Sequence, residues 1–200
     1  MPQYVQLHMC KCNCANTHKV LEAFMLSTLD KTELSPSGIY RIRFQDCDPF
    51  GHLNNARYMD YFLEAREDHL RDFYGFDLFE HSSREGKSWV VTRTQIAYLE
   101  PAKQSDLVRI VTRLVGKGDG GIRNEDLMYD QAGKKLKALI WIDFAFIDLK
   151  KGRPTRHGEE LNQFFNSVLY SDSGLQNGNF EERVREMKRT MAPGLEAVLV

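Results

Sequence analysis

Nowhere in the chain do about 18 apolar residues run together, the length a membrane-spanning helix needs. The best early apolar stretch, Val20 to Leu29, contains Glu22 and two hydroxyl residues. No strongly basic segment or small-residue cleavage site accompanies it, so a signal peptide is not expected either. Net charge is nearly absent: 27 basic residues face 28 acidic ones, for a balance of -1. Such a balance gives no electrostatic reason to expect nucleic acid or an anionic membrane as a partner. Cysteines are few, four in 200 residues, and Cys10, Cys12 and Cys14 occupy alternate positions. Alternate residues rarely reach bridging geometry, which leaves reduced thiols and a cytoplasmic protein as the expectation. With His8 and His18 the three cysteines offer soft-metal ligands, but no fourth distant thiolate completes them, and no metal is expected. Also missing is any Gly-rich phosphate fingerprint at the start of a helix.

What is present fits one folded domain with tails. Residues 1–37 read as an N-terminal extension with one possible short helix, capped by Thr17 and docked through Val20, Phe24 and Leu29. Residues 38–170 read as the domain, and 171–200 as a linker followed by a helix from Phe180 to about Thr190. Within the domain, Ile39 to Phe44 alternates apolar and basic residues as a strand would, and Asp46 to Gly51 is a turn-rich break. Asn54 or Asn55 then caps a helix that reaches about Tyr74 without Pro or Gly. Its apolar residues Tyr58, Met59, Phe62, Leu63 and Ala65 cover more than a narrow stripe, so something wraps around it. Four strand-like segments follow: Trp89 to Leu99, Leu107 to Val115, Ile122 to Tyr129 and Lys135 to Asp148. Val108, Ile110 and Leu114 share one face, as do Ile140, Ile142, Phe144 and Phe146. After Gly158, Leu161, Phe164, Phe165, Val168 and Leu169 recur at helical spacing. One helix followed by a run of antiparallel strands is an α+β arrangement, not the alternation of a nucleotide-binding sheet.

Polar chemistry concentrates in Phe44 to Tyr58, FQDCDPFGHLNNARY, which holds two carboxylates, a histidine and two asparagines at a helix start. The first N–H groups of a helix have no partner within it and carry partial positive charge, so they suit a developing oxyanion. This segment resembles the 4-hydroxybenzoyl-CoA thioesterase-like branch of the hotdog superfamily, which includes bacterial long-chain acyl-CoA thioesterases. AspCysAspPro with Gly51 is similar to the first type, and HisLeuAsnAsnAlaArgTyr, residues 52–58, to the second. The resemblance runs from about Ile39 to Phe165. It implies a hotdog fold, an antiparallel five-stranded sheet wrapped around a long central helix, assembled as a homodimer or homotetramer. It further implies hydrolysis of a small-molecule acyl-CoA, medium or long fatty acyl ahead of aroyl, with no cofactor.

Carried over by motif position, the catalytic carboxylate falls on Asp48, acting as nucleophile or general base, and the polarising amide on Asn55. Asp46 becomes a supporting residue, and His52 either a second catalytic group or a histidine that steadies the Asp48 turn. A thiol of pKa about 8.5 leaves readily as thiolate, so no strong general acid is needed. Further candidates are Asn54, at once a helix cap, Tyr58 as pocket lining, and Thr92 and Thr94, which share a strand face with Ile96 and Tyr98. Lys117 and Arg123 are candidates for the CoA phosphates, although GlyLysGlyAspGlyGly departs from the family's usual segment there. Against these stand plain structural roles: Asp before Pro commonly makes a turn, and charges near a bend are commonly solvated. Rival functions are hydrolysis of an acyl-carrier-protein thioester, hydration of an enoyl thioester, and non-catalytic acyl-CoA binding.

Overall fold

Alternating apolar residues in the second half of the chain build a sheet, and one long helix covers one of its faces. The computed structural model describes residues 34–172 and 179–191. In it β1 (Ser37–Arg41) leads through two 3-10 turns, Phe44–Asp46 and Asn55–Arg57, into α1 (Tyr58–Tyr74). Then come α2 (Leu78–Glu85), β2 (Lys87–Tyr98), β3 (Leu107–Gly118), β4 (Gly121–Asp130), β5 (Leu136–Asp148), β6 (Arg153–Pro154), α3 (Glu159–Val168) and α4 (Phe180–Thr190). Every pairing is antiparallel, in the order β1-β3-β4-β5-β2, and β6 pairs with the end of β5. This is the expected α+β hotdog fold, with β1 and β2 as its edges.

α1 runs uninterrupted because no Pro or Gly falls inside it, and it stops at Gly75. That residue takes the left-handed conformation (φ 61°), which glycine adopts without steric cost. Its N–H returns to the Arg71 carbonyl at 3.0 Å. Tyr58, Tyr61, Phe62, Ala65, Arg66 and His69 are the buried face. They meet the inner side of the sheet, where Ile140, Ile142, Phe144 and Phe146 of β5 lie beside Val108 and Ile110 of β3. Burying each such aliphatic or aromatic side chain stabilises the fold by about 1.5–3 kcal/mol relative to exposure. The outer side is covered as well: Phe180, Val184 and Met187 of α4 pack on Val111, Leu127, Tyr129, Leu139 and Trp141. α4 therefore covers this domain itself. Covered on both faces, β4 and β5 are buried almost continuously rather than at alternate residues.

Several elements differ from the sequence expectation. β1 ends at Arg41, short of Phe44; the N–H of Ile42 bonds the Asp106 carbonyl instead of a strand partner, and Phe44 sits exposed in a 3-10 turn. α2 was not anticipated; Asp77 caps it by accepting the Glu80 N–H at 2.8 Å, and Gly86 (φ 64°) ends it. A bulge between Val91 and Arg93 shifts the register of β2 against β5. The helix expected around Thr17 to Leu29, the Cys10, Cys12 and Cys14 cluster and most of the 171–179 linker lie outside the described residues. Among the described residues no helix is long and apolar enough to cross a membrane.

Candidate active site

The segment before α1 is folded back on itself as a small closed loop. Cys47 and Leu53 form an antiparallel bridge, and the Asn54 N–H bonds the Asp46 carbonyl at 2.9 Å. Inside it, the Asp48 N–H donates to the His52 carbonyl at 2.8 Å and the Gly51 N–H to the Asp48 carbonyl at 3.0 Å. Gly51 has φ 75°, which a β-carbon would oppose, and this explains glycine there. The loop is pinned from outside by Leu53 N–H to the Ala102 carbonyl (2.7 Å) and Gln104 N–H to the Gly51 carbonyl (2.9 Å).

Asp48 takes part in that turn with one oxygen only. Its Oδ1 accepts the N–H groups of Phe50 at 2.9 Å and His52 at 3.0 Å. Oδ2 has no hydrogen-bond partner among the described residues. Asp46 is held away from solvent. Its Oδ2 accepts the Tyr61 hydroxyl at 2.9 Å, its Oδ1 lies 3.7 Å from Arg57 Nε, and Tyr61 in turn receives the Arg43 N–H at 2.9 Å. Burial and the neighbouring Asp46 raise the Tyr61 hydroxyl to about 12, so it stays a donor. Cys47 is likewise pushed upward, first by burial and then by Asp46 and Asp48, which disfavours a thiolate.

Asn54 is the cap: its Oδ1 accepts the Ala56 N–H at 3.0 Å. Asn55 is exposed, its carbonyl accepts the Tyr98 hydroxyl at 2.9 Å, and its side-chain amide is unpaired among the described residues. Asn55 thus stands at the helix mouth with donors available. His52 is linked to Asp48 through its backbone N–H and carbonyl rather than through its ring.

The outlying candidates divide. Tyr58 is 2% exposed, receives the Ala102 N–H at 3.2 Å and meets Tyr98 edge-on at 5.1 Å, so it props up the loop from the core. Thr94 pairs with Ile142 and shares the inner face with Ile96 and Tyr98. The bulge takes Thr92 out of that alternation, and its hydroxyl bonds the Asp143 carbonyl at 3.1 Å. Lys117 is exposed at the end of β3. Arg123 is committed to Asp143 through two bonds, 2.6 and 3.0 Å, and stacks over Trp141 at 4.9 Å. Lys117 and Arg123 nonetheless line one open groove of about 390 Å³ with Trp141.

A family model described as the thioesterase-like superfamily matches residues 42–165. The chain belongs to that superfamily. Thioester hydrolysis is its class of activity. The Escherichia coli long-chain acyl-CoA thioesterase FadM is 32% identical over 124 residues, 62% of this chain and 91% of FadM. Among solved structures, the Escherichia coli YbaW protein, a probable thioesterase, is 26% identical with a TM-score of 0.59, covering 67% of this chain and 98% of its own. A probable thioesterase from Bartonella henselae gives 26% and 0.57, covering 62% and 99%. The superfamily match takes in the whole Asp48 loop, α1 and all of the sheet except β1, and leaves α4 outside.

Sequence reasoning missed a set of polar residues inside the domain: Arg66 and His69 on α1, and Thr112, Asn124 and Asp126 on the strands facing them, all buried. A signal was available. Arg66 stands four residues after Phe62, on the helix's apolar face, and in AsnGluAsp at 124–126 alternation must point at least one polar side chain inward.

Proposed function

We propose that the protein hydrolyses a fatty acyl-CoA of medium or long chain, with Asp48 as the catalytic carboxylate and Asn55 as the group that polarises the thioester carbonyl. The observation that carries this reading is the division of labour at Asp48. Two backbone N–H groups fix Oδ1, while Oδ2 and the Asn55 amide on the same closed loop have no hydrogen-bond partner among the described residues. Fixing one oxygen orients the other at no entropic cost during reaction. Oδ2 then either attacks the carbonyl carbon, expelling CoA thiolate and leaving an acyl anhydride for water to open, or takes a proton from the water that attacks. Donors at the helix mouth hold the negative oxygen in both cases. The thiolate leaves unaided because its conjugate acid, a thiol of pKa about 8.5, is a far stronger acid than an alcohol or an amine. FadM, which is named for long-chain acyl-CoA, supports the choice of acyl group.

Assembly as a homodimer is part of the same proposal. β2 is an edge strand of 12 residues that exposes Val90, Val91 and Tyr98, and such an edge is commonly closed by pairing with another strand. Action on a cytoplasmic acyl-CoA pool completes the reading.

The test is release of free thiol from short, long and aromatic acyl-CoAs by wild type and Asp48→Asn, with folding checked by circular dichroism. Turnover of long-chain substrates that the substitution abolishes is the expected result. Equal activity in Asp48→Asn would remove Asp48 from the chemistry, and turnover of carrier-protein thioesters alone would replace the substrate.

A further inference from the structure

The interior between α1 and the sheet contains two opposite charges, Arg66 and Asp126, that act on each other without an ion pair among the described residues. Arg66 is 7% exposed and Asn124 7%, while Asp126 is fully buried. The register sets Thr112 opposite Asp126, and Asn124 opposite Leu114 and Ile142, so these polar side chains look inward toward α1. The Arg66 guanidinium lies 4.4 Å above the Phe144 ring. Neither it nor the Asn124 amide forms a hydrogen bond with any described residue. Nε2 of His69 has no hydrogen bond among the described residues either. The polar atoms of Arg66 and Asn124 reach the space beside them rather than being sealed off, so a small occupant there is in position to bond both.

Space for one is present. A cavity of about 40 Å³ is lined by Arg66, His69, Thr112 and Asn124, by Arg113, whose guanidinium is engaged by Ser35 and Glu125, and elsewhere by aromatic and aliphatic residues, among them Trp89 and Phe164. Since about 10–15 Å³ of such space admits one water, the cavity takes a molecule of only a few heavy atoms. We propose that it binds a short aliphatic monocarboxylate of two to four carbons, its carboxylate on Arg66 and Asn124 and its alkyl end against Trp89 and Phe164. A planar carboxylate matches the guanidinium fork, which a neutral water does not neutralise. Asp126 does not supply that match, since no ion pair joins it to Arg66 among the described residues; burial pushes its carboxyl well above the usual range, and Arg66 opposes that rise. Arg66 is eight residues past the start of α1, roughly 12 Å along the axis, so this pocket is separate from the Asp48 loop.

The test is nuclear magnetic resonance on the full chain, titrated with sodium acetate, propionate and butyrate. The chain has two tryptophans. The Trp89 indole N–H, bonded to His157 at 3.1 Å, borders the cavity and reports binding, and that of Trp141, on the outer face, is the control. The expected result is a saturable shift of Trp89 alone, with a Kd on the order of 1 mM for the best acid. Affinity should fall at least about tenfold in Arg66→Met and Asn124→Leu and hold in Asp48→Asn, which separates this site from the thioesterase reading. An equal response to 1-propanol or to sodium chloride, a shift that never saturates, or unchanged affinity in Arg66→Met would each overturn it. If Arg66→Met does not fold, unchanged affinity in Asn124→Leu does so.

Discussion

Replacing Arg183 with methionine tests what holds α4 on the sheet. Arg183 and Glu125 are 2% and 0% exposed, and the guanidinium meets both carboxylate oxygens, Nε to Oε2 at 2.8 Å and Nη2 to Oε1 at 2.9 Å. Taking away one partner of a buried pair leaves the other charge stranded, at about 3–5 kcal/mol. Here Glu125 retains the Trp141 indole N–H at 3.0 Å and a long contact to Arg113 at 3.5 Å, which sets the loss at the lower end, about 3 kcal/mol. In a domain of this size that is a fall in Tm of roughly 6–12 °C. Urea unfolding and calorimetry measure both. The double variant Arg183→Met, Glu125→Leu removes the stranded charge and keeps the apolar contacts of Phe180, Val184 and Met187, so it should recover part of the loss, with the Trp141 indole N–H then unpaired at about 1–3 kcal/mol. A single-variant loss below about 1 kcal/mol, or a double variant that loses the sum of the two singles, would refute the reasoning.

Asn55→Ala is expected to lower kcat by about 10²–10³ with little change in KM, the signature of a donor that acts on the transition state; steady-state thiol release checks it. Tyr61→Phe removes a donor to Asp46 and an acceptor for the Arg43 N–H, so urea unfolding should show a loss of about 1–2 kcal/mol. Gly51→Ala meets nothing within 4 Å, so only the backbone at φ 75° resists, at about 1 kcal/mol by thermal unfolding, and Gly51→Asn, tolerant of that region, should cost less. Burial lowers His69 to about 4 from an ordinary 6.5. The unfolded chain therefore binds the extra proton between pH 6.5 and 4, and stability present above that window is lost as pH falls through it. Between pH 7 and pH 5 this residue should account for a loss of about 2 kcal/mol that His69→Gln does not show in matched urea titrations.

The long helix and the four later strands were legible because their apolar residues recur with the periods of helix and strand. What escaped notice had no such period. α2 is eight residues long, with only His81 buried, and α1 carries Arg66 and His69 in its core stripe, where a reader expects charge to mean solvent. Pairing across the sheet was equally hidden. Arg123 was read as a free basic residue, yet its partner Asp143 lies 20 positions away on the next strand, and only the β4–β5 register brings them together. The Asp48 loop was legible in its residue types but not in its bonding. Asn54 was recognisable as a cap, whereas the link between His52 and Asp48 runs through the main chain, which a residue pattern does not display.

At Asp48 the plain structural reading and the catalytic one need not compete. An Asp before Pro that closes a turn uses one carboxylate oxygen, and Asp48 does so with Oδ1 and two N–H groups. Those same bonds remove the side chain's freedom and hold Oδ2 in one direction. A nucleophile or base aligned before the substrate arrives gains from lost motion what a freely rotating carboxylate would have to supply during the reaction. On the proposed reading the turn is the orienting device, and few other groups are required. With a leaving thiol of pKa about 8.5 no acid has to protonate it, and a donor at the helix mouth answers the remaining demand, charge on the carbonyl oxygen. On the same reading Asp46, which accepts the Tyr61 hydroxyl at 2.9 Å, supports the turn from the residue two positions earlier.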